Sequence, residues 1–261
     1  MSAQEEILAR LRANDGAHNQ DWVREEGIRR QTFANGWADV SPAGLVELDS
    51  FAEQIVAHVG QSLGADRTRL VTLKLAALLH DTGKPGVRSV DGGGRIRFID
   101  HQREGVRITG DVLRRLRFNR AEVHLGRSVV RHHMRPLLLA SQESVSRRAI
   151  YRFFRDTGDA GVDVLLHALA DQIAHCPPGA EGSRWANLLA LVSRMLSDYW
   201  QRPNARVAPA PLIDGHDVQR ECGLRPGPHI GQLLEKVREA QVSGDVRSRE
   251  EALALVRERA S

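Results

Sequence analysis

Histidine and aspartate side chains that could bind a metal ion recur at the ends of apolar segments in this 261-residue sequence. The clearest case is the pair His80-Asp81 in LLHDTGKP, where an apolar run meets a glycine and a proline. An imidazole nitrogen beside a carboxylate oxygen suits a borderline or hard divalent cation, but two residues are too few to hold one alone. The remaining ligands must come from other segments, and the candidates are His101 in FIDHQREG, His132 and His133 in VVRHHMRP, and Asp171 in HALADQIAH.

Each of these side chains lies within or beside an apolar stretch, where an ionisable group is costly unless it is paired or bound to a metal. Taken singly, such a histidine is more commonly exposed or hydrogen-bonded than a ligand. For each residue taken alone, a metal-binding role and an ordinary structural role both stay open. The metal hypothesis therefore rests on the residues taken together.

The elements that must position these residues are predicted to be helices. Apolar residues recur at helical spacing from Leu70 to Leu79, and Gly83 and Pro85 end that helix. Strand pattern is confined to Val87–Phe98, where a glycine-rich turn joins two short alternating arms. Further apolar stripes lie at Val106–Leu116, Val123–Val130, Ile150–Phe154, Val162–Ile173 and Leu188–Trp200. The sequence therefore predicts an all-α fold with one minor β-hairpin.

A stretch rich in proline and small residues, Gln201–Gly215, predicts a linker before a small helical C-terminal domain. In that domain Pro228 is expected near the start of a helix that Gly244 ends, and Ser248 with Glu251 predicts a capping box for the last helix. The predicted domains are an N-terminal segment of unassigned role (1–40), a helical domain (41–202) and the C-terminal tail (203–261).

Composition excludes several classes of protein. Apolar residues make up 41% and charged residues 27%, which is typical of a globular protein rather than a disordered one. No run approaches the roughly 20 apolar residues that span a bilayer, and the acidic N-terminus does not fit a signal peptide. Two distant cysteines, Cys176 and Cys222, exclude a disulfide scaffold and a cysteine-rich zinc finger. We expect a cytoplasmic protein without a membrane partner.

In order and spacing, the ligand-type residues resemble the HD phosphohydrolase superfamily, and more narrowly the HD region of bacterial CCA-adding tRNA nucleotidyltransferases and their poly(A) polymerase relatives. The resemblance lies in KLAALLHDTGKP, in RFIDHQREG against that group's F-x-G-H-E-x-x-G, in LRFNRAEVHLGRSVVRHHMRP and in LADQIAH. It continues through the C-terminal LIDGHDVQRECGLRPGPHIGQLLEKVREAQVSGDVRSREEAL, so that it covers about Leu70 to Val256.

This resemblance implies an HD-type helical domain holding a divalent metal such as Mg²⁺, Mn²⁺ or Ni²⁺. A cation there would polarise a phosphate oxygen and activate water for hydrolysis. Asp81 and Lys84 are the expected catalytic residues, with Lys84 placed to contact a phosphate. His133 is preferred to His132 because the resemblance places the ligand just before Met-x-Pro. The implied metal ligands are His80, Asp81, His101, His133 and Asp171.

Two features depart from the family pattern. The superfamily's first histidine is expected where Leu48 or Asp49 stands, with His58 a less fitting substitute further along, which predicts a weaker site, a single-metal site or a relic. The nucleotidyltransferase head of the CCA-adding enzymes carries a glycine-serine stretch and a D-x-D pair, and neither is found before residue 70. We expect a helical half that stands alone or works with a separate head.

Charge is unevenly distributed along the chain. The formal net charge is only +4, yet the stretch from His101 to Arg155 carries 13 arginines against four carboxylates. Arg114, Arg115 and Arg117 are predicted to contact phosphates of a nucleotide or tRNA-like RNA. The alternative is that these arginines are dispersed over solvated helix faces and paired with local carboxylates.

Two functions follow from the sequence. The first is a metal-dependent phosphohydrolase acting on nucleotide or RNA phosphate esters, including 2′,3′-cyclic ends. The second is a non-catalytic tRNA-binding or partner module, the helical half of a split nucleotidyltransferase.

Overall fold

The computed structural model describes residues 48–64, 66–175, 183–203, 207 and 209–260. The predicted N-terminal segment, residues 1–40, lies outside these described residues. The chain divides into two compact units. One contains the described residues up to Ser141 together with Val162–Ser193, and the other contains Gln142–Gly161 and the residues from Arg194 onward.

Helices dominate both units. Their bounds are α1 Ala52–Val59, α2 Arg69–Leu79, α3 His101–Arg115, α4 Arg120–His132, α5 Arg135–Ala140, α6 Arg147–Thr157, α7 Gly161–His175, α8 Ser183–Gln201, α9 Gly215–Cys222, α10 Pro228–Ser243 and α11 Arg249–Ala260. Strands within the described residues are confined to one antiparallel hairpin, β1 Ser89–Val90 and β2 Ile96–Arg97, with Val90 opposite Ile96. The predicted all-α fold with one minor hairpin is confirmed.

In the first unit α4 packs against both α3 and α2. Gly126 of α4 allows this approach, because a Cβ there would lie 2.5 Å from Cδ1 of the fully buried Leu113. The start of α4 is fixed by a capping box between Asn119 and Glu122. Glu122 is fully buried and also accepts hydrogen bonds of 2.7 and 2.9 Å from the Arg67 guanidinium. These contacts hold the first half of α4 against α3 and against the segment before α2.

A buried ion pair ties α7 to the first two helices. Asp163 is fully buried, and its Oδ2 accepts a hydrogen bond of 2.8 Å from Arg69 Nε at the start of α2. The same oxygen lies 3.0 Å from His58 Nε2 on α1. Since Asp171 lies two turns further along α7, this cluster sets the position from which Asp171 reaches the end of α2.

The second unit forms its own apolar core from the C-terminal helices, with Val218, Ala252 and Val256 fully or almost fully buried. The predicted helix that ends at Gly244 is confirmed, and Gly244 adopts the left-handed conformation with φ of 88°. The predicted capping box is also confirmed, because Glu251 N donates to Ser248 Oγ and Ser248 N donates to Glu251 Oε2.

Helix α6 packs against α10 in this unit. Arg152 donates two hydrogen bonds of 2.6 Å to the Glu239 carboxylate, and Arg155 binds Glu235. Helix α6 thus belongs with the C-terminal helices, whereas the boundary at residue 203 remains a prediction. Among the described helices, we find none with the length and apolar character needed to cross a membrane.

We expect Asp163→Ala to lower the free energy of unfolding by about 3–5 kcal/mol, because it leaves the buried Arg69 guanidinium without its carboxylate. Urea unfolding followed by circular dichroism measures this change. Glu104→Ala, which removes a partly exposed carboxylate paired with Arg107, is the matched control and should change stability by no more than about 0.5 kcal/mol. Equal effects of the two substitutions would show that the buried cluster does not anchor α7.

Candidate metal centre

Four segments of the first unit bring ligand-type side chains together. His80 is the residue that caps the end of α2, and Asp81 follows it. His101 is the first residue of α3, and His133 caps the end of α4. Asp171 lies on α7. The structure therefore unites all the residues that the sequence predicted as metal ligands.

The three histidines of this centre are held in the same way. Each Nδ1 lies within hydrogen-bond distance of the carbonyl oxygen three residues earlier, at 2.7 Å for His80, 3.0 Å for His101 and 2.8 Å for His133. A carbonyl oxygen only accepts hydrogen bonds, so each Nδ1 must carry the hydrogen. In the neutral imidazole this leaves the lone pair on Nε2, which is the form that binds metals.

These Nε2 atoms converge around Asp81. His101 Nε2 and His133 Nε2 are 3.2 Å apart, and they lie 3.4 and 4.0 Å from Asp81 Oδ1. One ligand atom from each of the three residues lies within 4.8 Å of the other two. The centre therefore offers two imidazole nitrogens and one carboxylate oxygen to a common point.

The second oxygen of Asp81 faces the other side of the centre. Asp81 Oδ2 lies 3.2 Å from His80 Nε2 and accepts a hydrogen bond from Lys84 Nζ. His80 Nε2 also lies 3.5 Å from Asp171 Oδ1. Asp81 thus presents one oxygen to the pair His101 and His133, and the other to His80 and Lys84.

Electrostatics in the centre favour an anionic Asp81 and a neutral His133. Burial raises the pKa of Asp81, but the Lys84 ammonium and the His80 imidazole outweigh burial and hold that pKa below its ordinary value. Burial lowers the pKa of His133, and the neighbouring imidazoles lower it further. A carboxylate and unprotonated imidazoles are the species that metal binding requires.

Sequence reasoning missed one residue of this centre, His167 on α7. Its ring centroid lies 4.8 Å from that of His80. Burial lowers the pKa of His167 to about 4, so the imidazole is neutral near pH 7. The signal was available, because His167 and Asp171 are four residues apart on a predicted helix and therefore share one face.

The donor set fits a divalent cation. Two Nε2 atoms lie 3.2 Å apart with an anionic oxygen beside them, and a single divalent cation could bind all three of these donors. Nitrogen and oxygen donors together suit Mn²⁺, Ni²⁺ or Zn²⁺. We therefore conclude that the residues present fit the metal that the sequence implied.

Close backbone approach sets the spacing between Asp81 and His101. A Cβ on Gly83 would lie 2.0 Å from the His101 carbonyl oxygen and 2.6 Å from Gly105 N, so only glycine fits in this turn. Asp100, directly before His101, has a φ of 58° in the left-handed region. This sharp turn lets α3 begin at His101 and places its ring against the turn after α2.

The remaining predicted residues lie elsewhere. Leu48 is buried and Asp49 is exposed at the start of the described chain. His58 contacts Asp163 rather than the metal centre. The three arginines that were predicted to contact phosphates are exposed at the end of α3 and just after it. They are Arg114, Arg115 and Arg117. Arg114 is bonded to Asp111 at 2.7 Å.

We expect Gly83→Ala to lower the free energy of unfolding by about 1–3 kcal/mol, because the added methyl group must push the turn away from α3. The same displacement should weaken Mn²⁺ binding, which isothermal titration calorimetry would measure. Gly92→Ala in the hairpin turn is the control, since a Cβ there meets nothing within 4 Å among the described residues. Unchanged stability and Mn²⁺ affinity in Gly83→Ala would contradict the proposed role of this contact.

Comparison with known proteins places this centre in a family. The HD domain model matches residues 51–174, which include His80, Asp81, His101, His133 and Asp171. The chain is 32% identical over 256 residues to an A-adding tRNA nucleotidyltransferase of Deinococcus radiodurans, covering 97% of this chain and 56% of the relative.

Two CC-adding tRNA nucleotidyltransferases are similar over shorter lengths. The Thermus thermophilus protein is 34% identical over 184 residues, with 70% of this chain and 39% of the relative covered. The Synechocystis sp. protein is 29% identical over 153 residues, with 59% and 33% covered. The chain thus spans little more than half of these relatives at most. Residues 51–174 therefore match the HD domain model, in a chain that is similar over 97% of its length to an A-adding tRNA nucleotidyltransferase.

Proposed function

We propose that this chain is a metal-dependent phosphohydrolase that acts on phosphate esters of nucleotides or RNA, with 2′,3′-cyclic ends among its substrates. One observation carries the proposal. Three histidines donate their Nδ1 hydrogens to backbone carbonyl oxygens, so that each Nε2 faces the Asp81 carboxylate. The pKa of that carboxylate is held below its ordinary value. Perturbed ionisable groups that converge in this way are typical of functional sites.

His80, Asp81, His101, His133 and Asp171 would hold the divalent cation. When bound, that cation supplies a Lewis acid that stabilises the charge developing on phosphoryl oxygens. Burial of His101 and His133, exposed by only 7% and 2%, keeps water from competing for their Nε2 atoms.

Lys84 is suited to attract the phosphate group. Its Nζ is bonded to Asp81 Oδ2, yet its side chain is 38% exposed. It can therefore offer further ammonium hydrogens to an anion arriving from solvent, since an ammonium carries three donors. Its attachment to Asp81 fixes that positive charge beside the cation position.

We expect the wild type to bind Mn²⁺ or Ni²⁺ and to hydrolyse 2′,3′-cyclic AMP, and Asp81→Asn to lose both properties. The substitution keeps the size of the side chain but removes the negative charge between the imidazoles. Elemental analysis after gentle purification measures the bound metal, and chromatography of the nucleotide products measures hydrolysis.

His124→Gln is the control for this experiment, because His124 is exposed on α4 and lies outside the centre. It should bind metal and hydrolyse substrate as the wild type does. A wild type that binds no divalent cation at micromolar concentration would refute the hydrolase proposal. Metal binding without hydrolysis of any phosphate ester would instead favour the second candidate.

The second candidate is a tRNA-binding module that works with a separate nucleotidyltransferase head. It is supported by the similarity to the A-adding enzyme, which extends through 97% of this chain and so reaches beyond the HD domain. The exposed Arg115 and Arg117 at the end of α3 offer a surface for phosphates.

We expect the chain to bind tRNA with an affinity that falls steeply as salt increases, and the triple substitution of Arg114, Arg115 and Arg117 by alanine to flatten this dependence. The slope of log K against log salt should decrease by about 0.7–0.9 for each phosphate that the variant no longer neutralises. Filter-binding titrations over a series of salt concentrations measure the slope. No saturable binding at low salt would remove RNA from the proposal.

A matched triple substitution is available in the second unit. There three of the four arginines of α6 are bonded to carboxylates of α10 and of the turn after it, so they should contribute little to RNA binding. They are Arg148, Arg152 and Arg155. If this triple mutant flattened the salt dependence as much as the first, the surface at the end of α3 would not be the binding site.

A further inference from the structure

His167 is a buried imidazole without a hydrogen bond. It is only 3% exposed, and neither its Nδ1 nor its Nε2 has a partner among the described residues. Leaving such polar atoms unpaired in the interior is unfavourable, because they lose their hydrogen bonds to water without replacement. The other three imidazoles of the centre each bond a backbone carbonyl, so His167 is the exception that calls for a physical explanation.

The neighbours of His167 are ligand-type groups. Its ring meets that of His80 edge to face at a centroid distance of 4.8 Å, and the ring of His133 lies at 6.0 Å. Asp171 lies one helical turn further along α7, on the same face, and its Oδ1 lies 3.5 Å from His80 Nε2. His167, His80 and Asp171 thus adjoin the group formed by Asp81, His101 and His133.

We propose that His167 is a nitrogen ligand for a divalent cation and shares this role with His80 and Asp171. The inference rests on the proposed function, because it requires that the centre binds metal. Asp81 connects the two ligand groups, since its Oδ1 faces His101 and its Oδ2 faces His80. His167 would therefore extend the centre beyond the residues that the sequence predicted.

A packing role alone does not account for His167. An apolar side chain of similar size would fill the same space on α7 without placing two polar atoms in the interior. A bound cation satisfies one of these nitrogens directly. Neutral imidazole is the form that binds metals, and a buried position without competing hydrogen bonds keeps that nitrogen available.

The test is a titration of the ¹⁵N-histidine-labelled protein with Zn²⁺, followed by NMR of the imidazole nitrogens. Zn²⁺ is diamagnetic, so each ring that binds it reports a shift of one nitrogen. We expect a His167 nitrogen to shift together with those of His80, His101 and His133. His167→Leu identifies the His167 signals by their disappearance, and it should fold as well as the wild type because it removes an unsatisfied polar group.

Isothermal titration calorimetry supplies the affinity. His167→Leu should weaken Ni²⁺ binding at least about tenfold, since even partners in the outer shell of metal sites contribute that much. His167→Gln, which keeps a polar side chain, should also weaken it, whereas His124→Leu on the exposed face of α4 should not.

The outcomes separate this inference from the proposed function. Zn²⁺ shifts at His101 and His133 with none at His167, and unchanged Ni²⁺ affinity in His167→Leu, would overturn the inference and leave the metal centre intact. Absence of any shift in the wild type would overturn the metal centre itself. A shift at His167 that is lost in Asp171→Asn would support the shared ligand set.

Discussion

The candidate metal centre of the first unit depends on how three imidazoles are oriented. A carbonyl oxygen of each histidine's own helix or turn accepts the Nδ1 hydrogen, and this fixes both the tautomer and the direction of the ring. The consequence is that Nε2 lone pairs of His101 and His133 face each other across 3.2 Å beside the Asp81 carboxylate. The ends of three segments of the first unit thus bring together a set of nitrogen and oxygen donors that could hold a divalent cation.

The rest of the first unit supplies the precision that this arrangement needs. The ends of α2 and α4 and the start of α3 must meet at one point, and each is held by a different device. Gly83 permits direct backbone contact with α3, Glu122 anchors the start of α4, and Asp163 anchors α7 through Arg69. The polar anchors are buried, so a shift in any of them would expose or unpair a charge. The free-energy cost of such a shift keeps the ligand-type side chains in their positions relative to one another.

Sequence reasoning predicted the helices, the hairpin and the residues that converge, because apolar periodicity and ligand-type residues are local signals. It did not predict His167, because it considered the histidine alone and not its four-residue spacing from Asp171, which places both side chains on one face of the helix. Partners distant in sequence were also beyond reach: Arg69 and Asp163 are 94 residues apart, and no spacing rule links them. Gly83 was predicted to end a helix, yet its larger effect, the contact with His101, depends on tertiary packing.

The arginines between His101 and Arg155 look alike in the sequence, but the structure separates those that are paired with carboxylates from those that are exposed. Three of the four arginines of α6 bond carboxylates of the second unit, and Arg155 is paired with both Asp156 and Glu235. Their charge is therefore largely neutralised within the fold, and a phosphate would have to displace a carboxylate to bind them. Arg115 is exposed at the last position of the helix that begins with His101, and Arg117 is exposed just after it. Helix α3 begins at the candidate metal centre and ends at this exposed basic segment, about 20 Å away at 1.5 Å per residue. An RNA strand several nucleotides long could therefore contact both with its phosphates. A mononucleotide could not, so the length of the best substrate distinguishes an RNA end from a free nucleotide.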